Sequence, residues 1–87
     1  MNENKILELN FTTQQAMEIR QALAVARYRA KILNERLPNN ALWAKELECG
    51  TEAVKIFDEK CGDNLDEVRL SLDLEAMNIA EGITKRL

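Results

Sequence analysis

"NALWAKELECGTEAVKIFDEKC" occupies residues 40–61, and its reading decides the fold. Trp43, Leu47, Gly50, Val54, Phe57 and Cys61 recur at alternating spacings of four and three, which puts them on one stripe of a helix. A second apolar ridge, Leu42, Cys49, Ala53 and Ile56, runs beside it. Gly50 falls in the middle, where a glycine costs about 1 kcal/mol relative to alanine. Either packing recovers that cost, or the helix ends at Gly50 and Thr51 caps a new one.

The preceding segment, "TTQQAMEIRQALAVARYRAKILNERLP", bears on that choice. Thr12 or Thr13 can cap a helix start, and Pro38 closes the run. Between them Ala16, Ile19, Leu23, Ala26, Ala30, Leu33 and Leu37 form a stripe of the same spacing. "PNN" is a turn in which Asn39 or Asn40 caps the following helix. Folded back at that turn, facing residues have numbers that add to 80: Leu37 with Trp43, Leu33 with Leu47, Ala30 with Gly50, Leu23 with Phe57. Large side chains then meet at both ends and the smallest pair, Ala30 and Gly50, in the middle. The expectation is a continuous helix 40–61 in which Gly50 is a point of close helix contact. Val25, Tyr28 and Ile32 make a second ridge on the first helix, as suits a central helix with two neighbours.

"DNLDEVRLSLDLEAMNIAEGITKRL" admits two readings. Val68, Leu70, Leu72 and Leu74 alternate like a strand that could pair with "KILELNF" near the N-terminus. Against that, Asn64 followed by Glu67 reads as a helix cap, with Gly62 closing the helix before it. Lys85 and Arg86 suit a helix C-terminus, and Leu65, Val68, Leu72, Ala76, Ile79 and Ile83 form a helical stripe. The helical reading is favoured. The fold expected is all-α: a long antiparallel hairpin (13–37 and 40–61) plus a third helix (64–85), after a short extended lead (1–11), all in one domain of 87 residues.

Composition narrows function. The chain has no histidine, which removes the usual acid–base group near neutral pH and the commonest metal ligand. It contains no glycine-rich phosphate loop and no cysteine pair at zinc spacing. Paired carboxylates such as Glu46 and Glu48, or Asp58 and Glu59, read as solvated helix faces, and "DEKCGDNLDE" as a helix end and start rather than a calcium loop. Cys49 and Cys61 lie on apolar ridges and read as reduced core residues; at twelve positions apart on one helix they stand about 18 Å from each other. No enzyme, metal or cofactor is expected. The N-terminus does not read as a signal peptide, so the expected location is the cytoplasm.

Two features invite a partner. Residues 13–37 carry Arg20, Arg27, Arg29, Lys31 and Arg36 against Glu18 and Glu35, a local +3 in a chain whose net charge is −3, which leaves −6 elsewhere. Arg20, Arg27 and Lys31 line one strip, a candidate site for a small anionic ligand or nucleotide; the plainer reading is pairing with acidic helices packed alongside. The acidic balance speaks against nucleic acid, so a nucleic-acid-binding regulator is the weaker alternative. On the third helix Leu70, Leu74 and Met77 form a ridge away from its core stripe, a surface for another protein or for self-association into a homodimer or small oligomer.

The stretch "LELNFTTQQAMEIRQAL", an apolar lead into a capped helix and then a hairpin, resembles many small phage- and prophage-encoded proteins over the first two-thirds of the chain. That resemblance implies an accessory factor that binds a host or phage protein, and assigns no residue a role. The expectation is therefore a non-enzymatic interaction protein acting through its helix faces.

Overall fold

Thr12 starts the first helix in the computed structural model, which describes residues 11–61 and 65–86. Its hydroxyl accepts a hydrogen bond from the Gln15 backbone N–H at 3.1 Å, and the Gln15 side chain accepts one from the Thr12 N–H at 3.0 Å. This reciprocal box satisfies two of the donors a helix start leaves unpaired. Helix α1 runs Thr13–Arg36 and stops as Pro38 requires. A turn follows, closed by Asn40 N–H to the Leu37 carbonyl at 3.0 Å. The Asn40 side chain then caps α2 (Ala41–Cys61) by accepting from Leu42 N–H at 3.0 Å.

Helix α2 is continuous through Gly50. A Cβ built on Gly50 would lie 3.2 Å from the Arg27 Cα and 3.4 Å from the Arg27 Cβ, so the helices approach closely there. The glycine thus acts as a contact residue, and the α1 residue nearest to it is Arg27. The three atoms nearest a Cβ on Gly50 all belong to Arg27, and Asp58 meets Arg20; these pairs add to 77 and 78 where 80 was expected. Ala30 is itself buried. An offset of two to three residues is about 3–4.5 Å along the axis, less than one helical turn. Spacing alone fixes the face but not the register.

Helix α3 spans Arg69–Thr84, so the segment at 69–75 is helical rather than extended. It starts later than expected: Leu65–Val68 form a turn, with Val68 N–H donating to the Leu65 carbonyl at 3.0 Å. Most of the extended lead, the Gly62 cap and the Asn64 cap lie outside the described residues. Asp58, near the end of α2, and Asp73, near the start of α3, both reach Arg20 in α1. At the other end the Arg36 guanidinium donates to the Thr84 carbonyl at 2.8 Å, placing a cation on the C-terminus of α3. Helix α2 is thus antiparallel to α1, and α3 is parallel to it. Both pack on α1, the central helix that its two ridges predict.

The interior is built from small side chains. Ala16, Ala24 and Ala30 of α1 and Ala76 and Ala80 of α3 are buried, joined by Leu33, Val54, Leu65 and Leu72. Alanine loses no rotamer freedom on burial and lets helices approach closely. On α3 the buried line is Leu72, Ala76, Ala80 and Thr84, an i, i+4 ridge. Ile79 and Ile83, expected in the core, are instead exposed at the side of that ridge. Thr84 fits the interior because its hydroxyl donates to the Ala80 carbonyl at 2.9 Å.

The two helical glycines with described surroundings differ in kind. Gly82, inside α3, has nothing within 4 Å of a built Cβ and no positive φ. Gly82→Ala should therefore stabilise the fold by about 0.5–1 kcal/mol. That corresponds to a rise of roughly 2–8 °C in a melt followed by circular dichroism. A lower melting temperature would contradict the open space around this residue.

Candidate interaction surfaces

Arg20 is the residue whose surroundings depart furthest from the sequence reading. It lies on the Ala16–Arg20–Ala24 ridge of α1 and is only 2% exposed. Each nitrogen of its fork donates: Nε to Asp58 Oδ1 at 2.8 Å, Nη2 to Asp58 Oδ2 at 3.2 Å, and Nη1 to Asp73 Oδ1 at 2.9 Å. The paired contact with Asp58 and the third bond to Asp73 match the planar guanidinium geometry that lysine lacks. Burial by itself would lower the Arg20 pKa. Hydrogen bonds from Arg20 to Asp58 and Asp73, together with their charges, outweigh it and hold the pKa above the ordinary arginine range. A group raised in this way contributes stability that is complete below the ordinary arginine pKa and lost only in strong alkali.

Arg20, Arg27 and Lys31 consequently do not converge on one outer strip. Arg27 stacks over the Tyr28 ring at 4.8 Å, donates to the Tyr28 hydroxyl at 3.2 Å and lies 3.8 Å from Asp73. Lys31 is exposed and pairs along its own helix with Glu35 at 3.6 Å. Two of the five cations of α1, Arg20 and Arg27, meet acidic residues on the helices packed against it. Asp58, expected on a solvated face, is the principal anion of the triad. Beside it a cleft of about 550 Å³ is lined by Arg27, Lys55 and Arg69 and by Asp58, Glu59 and Asp66, a balanced set of charges. Within that set Arg69 meets Asp66 at 2.6 Å and Asp58 at 3.9 Å. Among the described residues no three His, Cys, Asp or Glu side chains are grouped to hold a metal ion.

The apolar surface is divided between two helices. On α3 Leu70 is 71% exposed, the most open of the large apolar residues described, and Leu74 is 52% exposed; Met77 is half-buried at the edge of the same ridge. On α2 the second ridge is uncovered: Leu42 and Ile56 are exposed, Ala53 is half-buried, and Cys49 is a free, exposed thiol. The core position expected for Cys49 is therefore not the one it takes, because α3 packs on α1 and does not reach this side of α2. Cys61 is half-buried, also as a free thiol.

The ion triad left one trace in the sequence: an arginine flanked at four residues on either side by alanines. Small neighbours at that spacing bring other helices close to the arginine stem, and a cation there needs carboxylates from those helices. Comparison of the chain with protein-family models, with curated proteins and with solved structures finds no match. No helix among the described residues is long and apolar enough to cross a membrane.

Proposed function

We propose that this is a non-enzymatic interaction protein of the cytoplasm, and that the Leu70–Leu74 face of α3, with Met77 at its margin, docks another protein. The observation that carries the reading is the inversion of side-chain sizes: alanines dominate the interior, while leucines stand on the outside of α3. Covering one such leucine is worth about 1.5–3 kcal/mol, so two neighbouring ones supply a large share of a moderate affinity. The likeness of residues 7–23 to phage-encoded accessory proteins supports a host or phage protein as the partner.

The test is the pair of substitutions Leu70→Asp and Leu74→Asp, made together. Both sites are exposed, so the melting temperature should move little, within about 1 kcal/mol of stability. Proteins retained by the immobilised native chain should be lost from this variant. Retention of the same proteins by both would overturn the reading.

A further inference from the structure

Leu42, Cys49 and Ile56 stand seven residues apart on the uncovered ridge of α2, the repeat of a helix seam. The stripe has a second property: it is its own complement when reversed. If two copies of α2 run antiparallel about a two-fold axis at Cys49, Leu42 of each meets Ile56 of the other, and the two Cys49 thiols meet at the axis. Lys45 and Glu52 lie three positions beyond Leu42 and Cys49, on the same flank of the stripe. A two-fold axis sets like flanks together, so Lys45 of one copy comes beside Glu52 of the other, twice. Both side chains are exposed, and neither forms an ion pair with a described residue of its own chain. On the opposite flank Glu46 comes beside Ala53, so no two carboxylates are set against each other.

We infer that α2 carries the seam of a two-fold symmetric homodimer, in which a second copy lays its own Leu42–Cys49–Ile56 stripe antiparallel on this one. Isologous pairing of this kind needs a patch that is complementary to itself in both shape and charge. The Leu42–Ile56 pairs supply the apolar part of that complement, and the two Lys45–Glu52 pairs supply the charged part. This seam is separate from the α3 face, which stays open to a different protein in the dimer.

The native chain is expected to be dimeric by light scattering at high-micromolar concentration. Lys45→Glu, at an exposed site, should keep the melting behaviour of the monomer but weaken dimerisation by about tenfold or more. Adding Glu52→Lys in the same chain restores opposite charges across the axis and should restore the dimer. Diamide, which accepts the two electrons and two protons released as the S–S bond forms, should link the native chain into a dimer. Cys61→Ser should leave that link in place and Cys49→Ser should abolish it. The Leu70→Asp/Leu74→Asp variant should dimerise as the native chain does, which separates this seam from the partner face. A monomer at every concentration, failure of the charge-reversed pair to recover the dimer, or a diamide link that survives Cys49→Ser would each overturn the assignment.

Discussion

Arg20→Ala should lower the melting temperature by roughly 12–24 °C, the equivalent of about 3 kcal/mol in a domain of this size. The substitution removes the one cation that two carboxylates on different helices share. Asp58 and Asp73 are each about a quarter exposed, at 24% and 23%, so water relieves part of their isolation. The cost therefore falls at the lower end of the range for breaking a buried pair. A domain of 87 residues commonly has only about 4–13 kcal/mol of stability in all, so the loss is a large fraction of it. The two aspartates should rank in a fixed order. Asp58→Asn disturbs a two-point contact and should cost more than Asp73→Asn, which disturbs a single bond. Arg20→Lys should fall between the native chain and alanine, because an ammonium cannot reach three oxygens in a fork. A melting temperature within a few degrees of the native value for Arg20→Ala would mean that the triad is better hydrated than its burial indicates.

Losing the charge and losing the shape can be told apart. Replacing all three residues together, as Arg20→Met, Asp58→Leu and Asp73→Leu, should recover most of the stability lost by Arg20→Ala, since neither aspartate is left facing the place of its lost buried cation. The triple variant then reports on register. In the native protein, the strongest interhelical nuclear Overhauser contacts from Gly50 should go to Arg27. Without the triad, α2 should sample the neighbouring register one turn away, and Gly50 should show contacts to more than one site on α1. A single unchanged set of contacts would assign the register to packing instead.

The same residues show how far the sequence could be read. Helix positions followed from stripe spacing, from Thr12, from Pro38 and from Asn40, because those signals act within a few residues of where they appear. The central place of α1 followed from its two ridges. Register did not follow, since a three- or four-residue slide maps each apolar stripe onto itself and only the polar contacts distinguish the alternatives. Arg20 and Asp58 were separately legible as charges, but their meeting depends on a slide that the stripes leave open. Exposure on α3 was legible for Leu70 and Leu74, which lie well round from the buried ridge. It was not legible for Ile79 and Ile83, because the buried line on α3 follows the i, i+4 ridge through Ala80 and Thr84. Apolar content alone would not have chosen that ridge.

Gly50→Leu should be the second most damaging single change, by about 3 kcal/mol, and its mechanism differs from that of Arg20→Ala. The nearest atom to a built Cβ is the Arg27 Cα at 3.2 Å, and backbone cannot swing aside as a side-chain end can. A leucine there would force α1 and α2 apart along their middle and draw Asp58, eight residues further along α2, away from Arg20. Packing and the ion triad would be lost together, so the effect should exceed that of overpacking alone. Gly50→Ala separates the opposing terms. Alanine gains about 1 kcal/mol of helix propensity, but its methyl must push the Arg27 backbone back by a few tenths of an ångström, so a net change near zero is expected. Gly82→Ala gains the propensity with no such opposition. The chain's one tryptophan, Trp43, is half-buried on α2 and provides an independent readout. Its fluorescence should shift to the red in Gly50→Leu as the helices separate, and stay unchanged in Gly50→Ala. If Gly50→Leu melted within a few degrees of the native chain with Trp43 unchanged, α1 and α2 would not be in contact at this point, and the small residue at the centre of the helix would have no packing role.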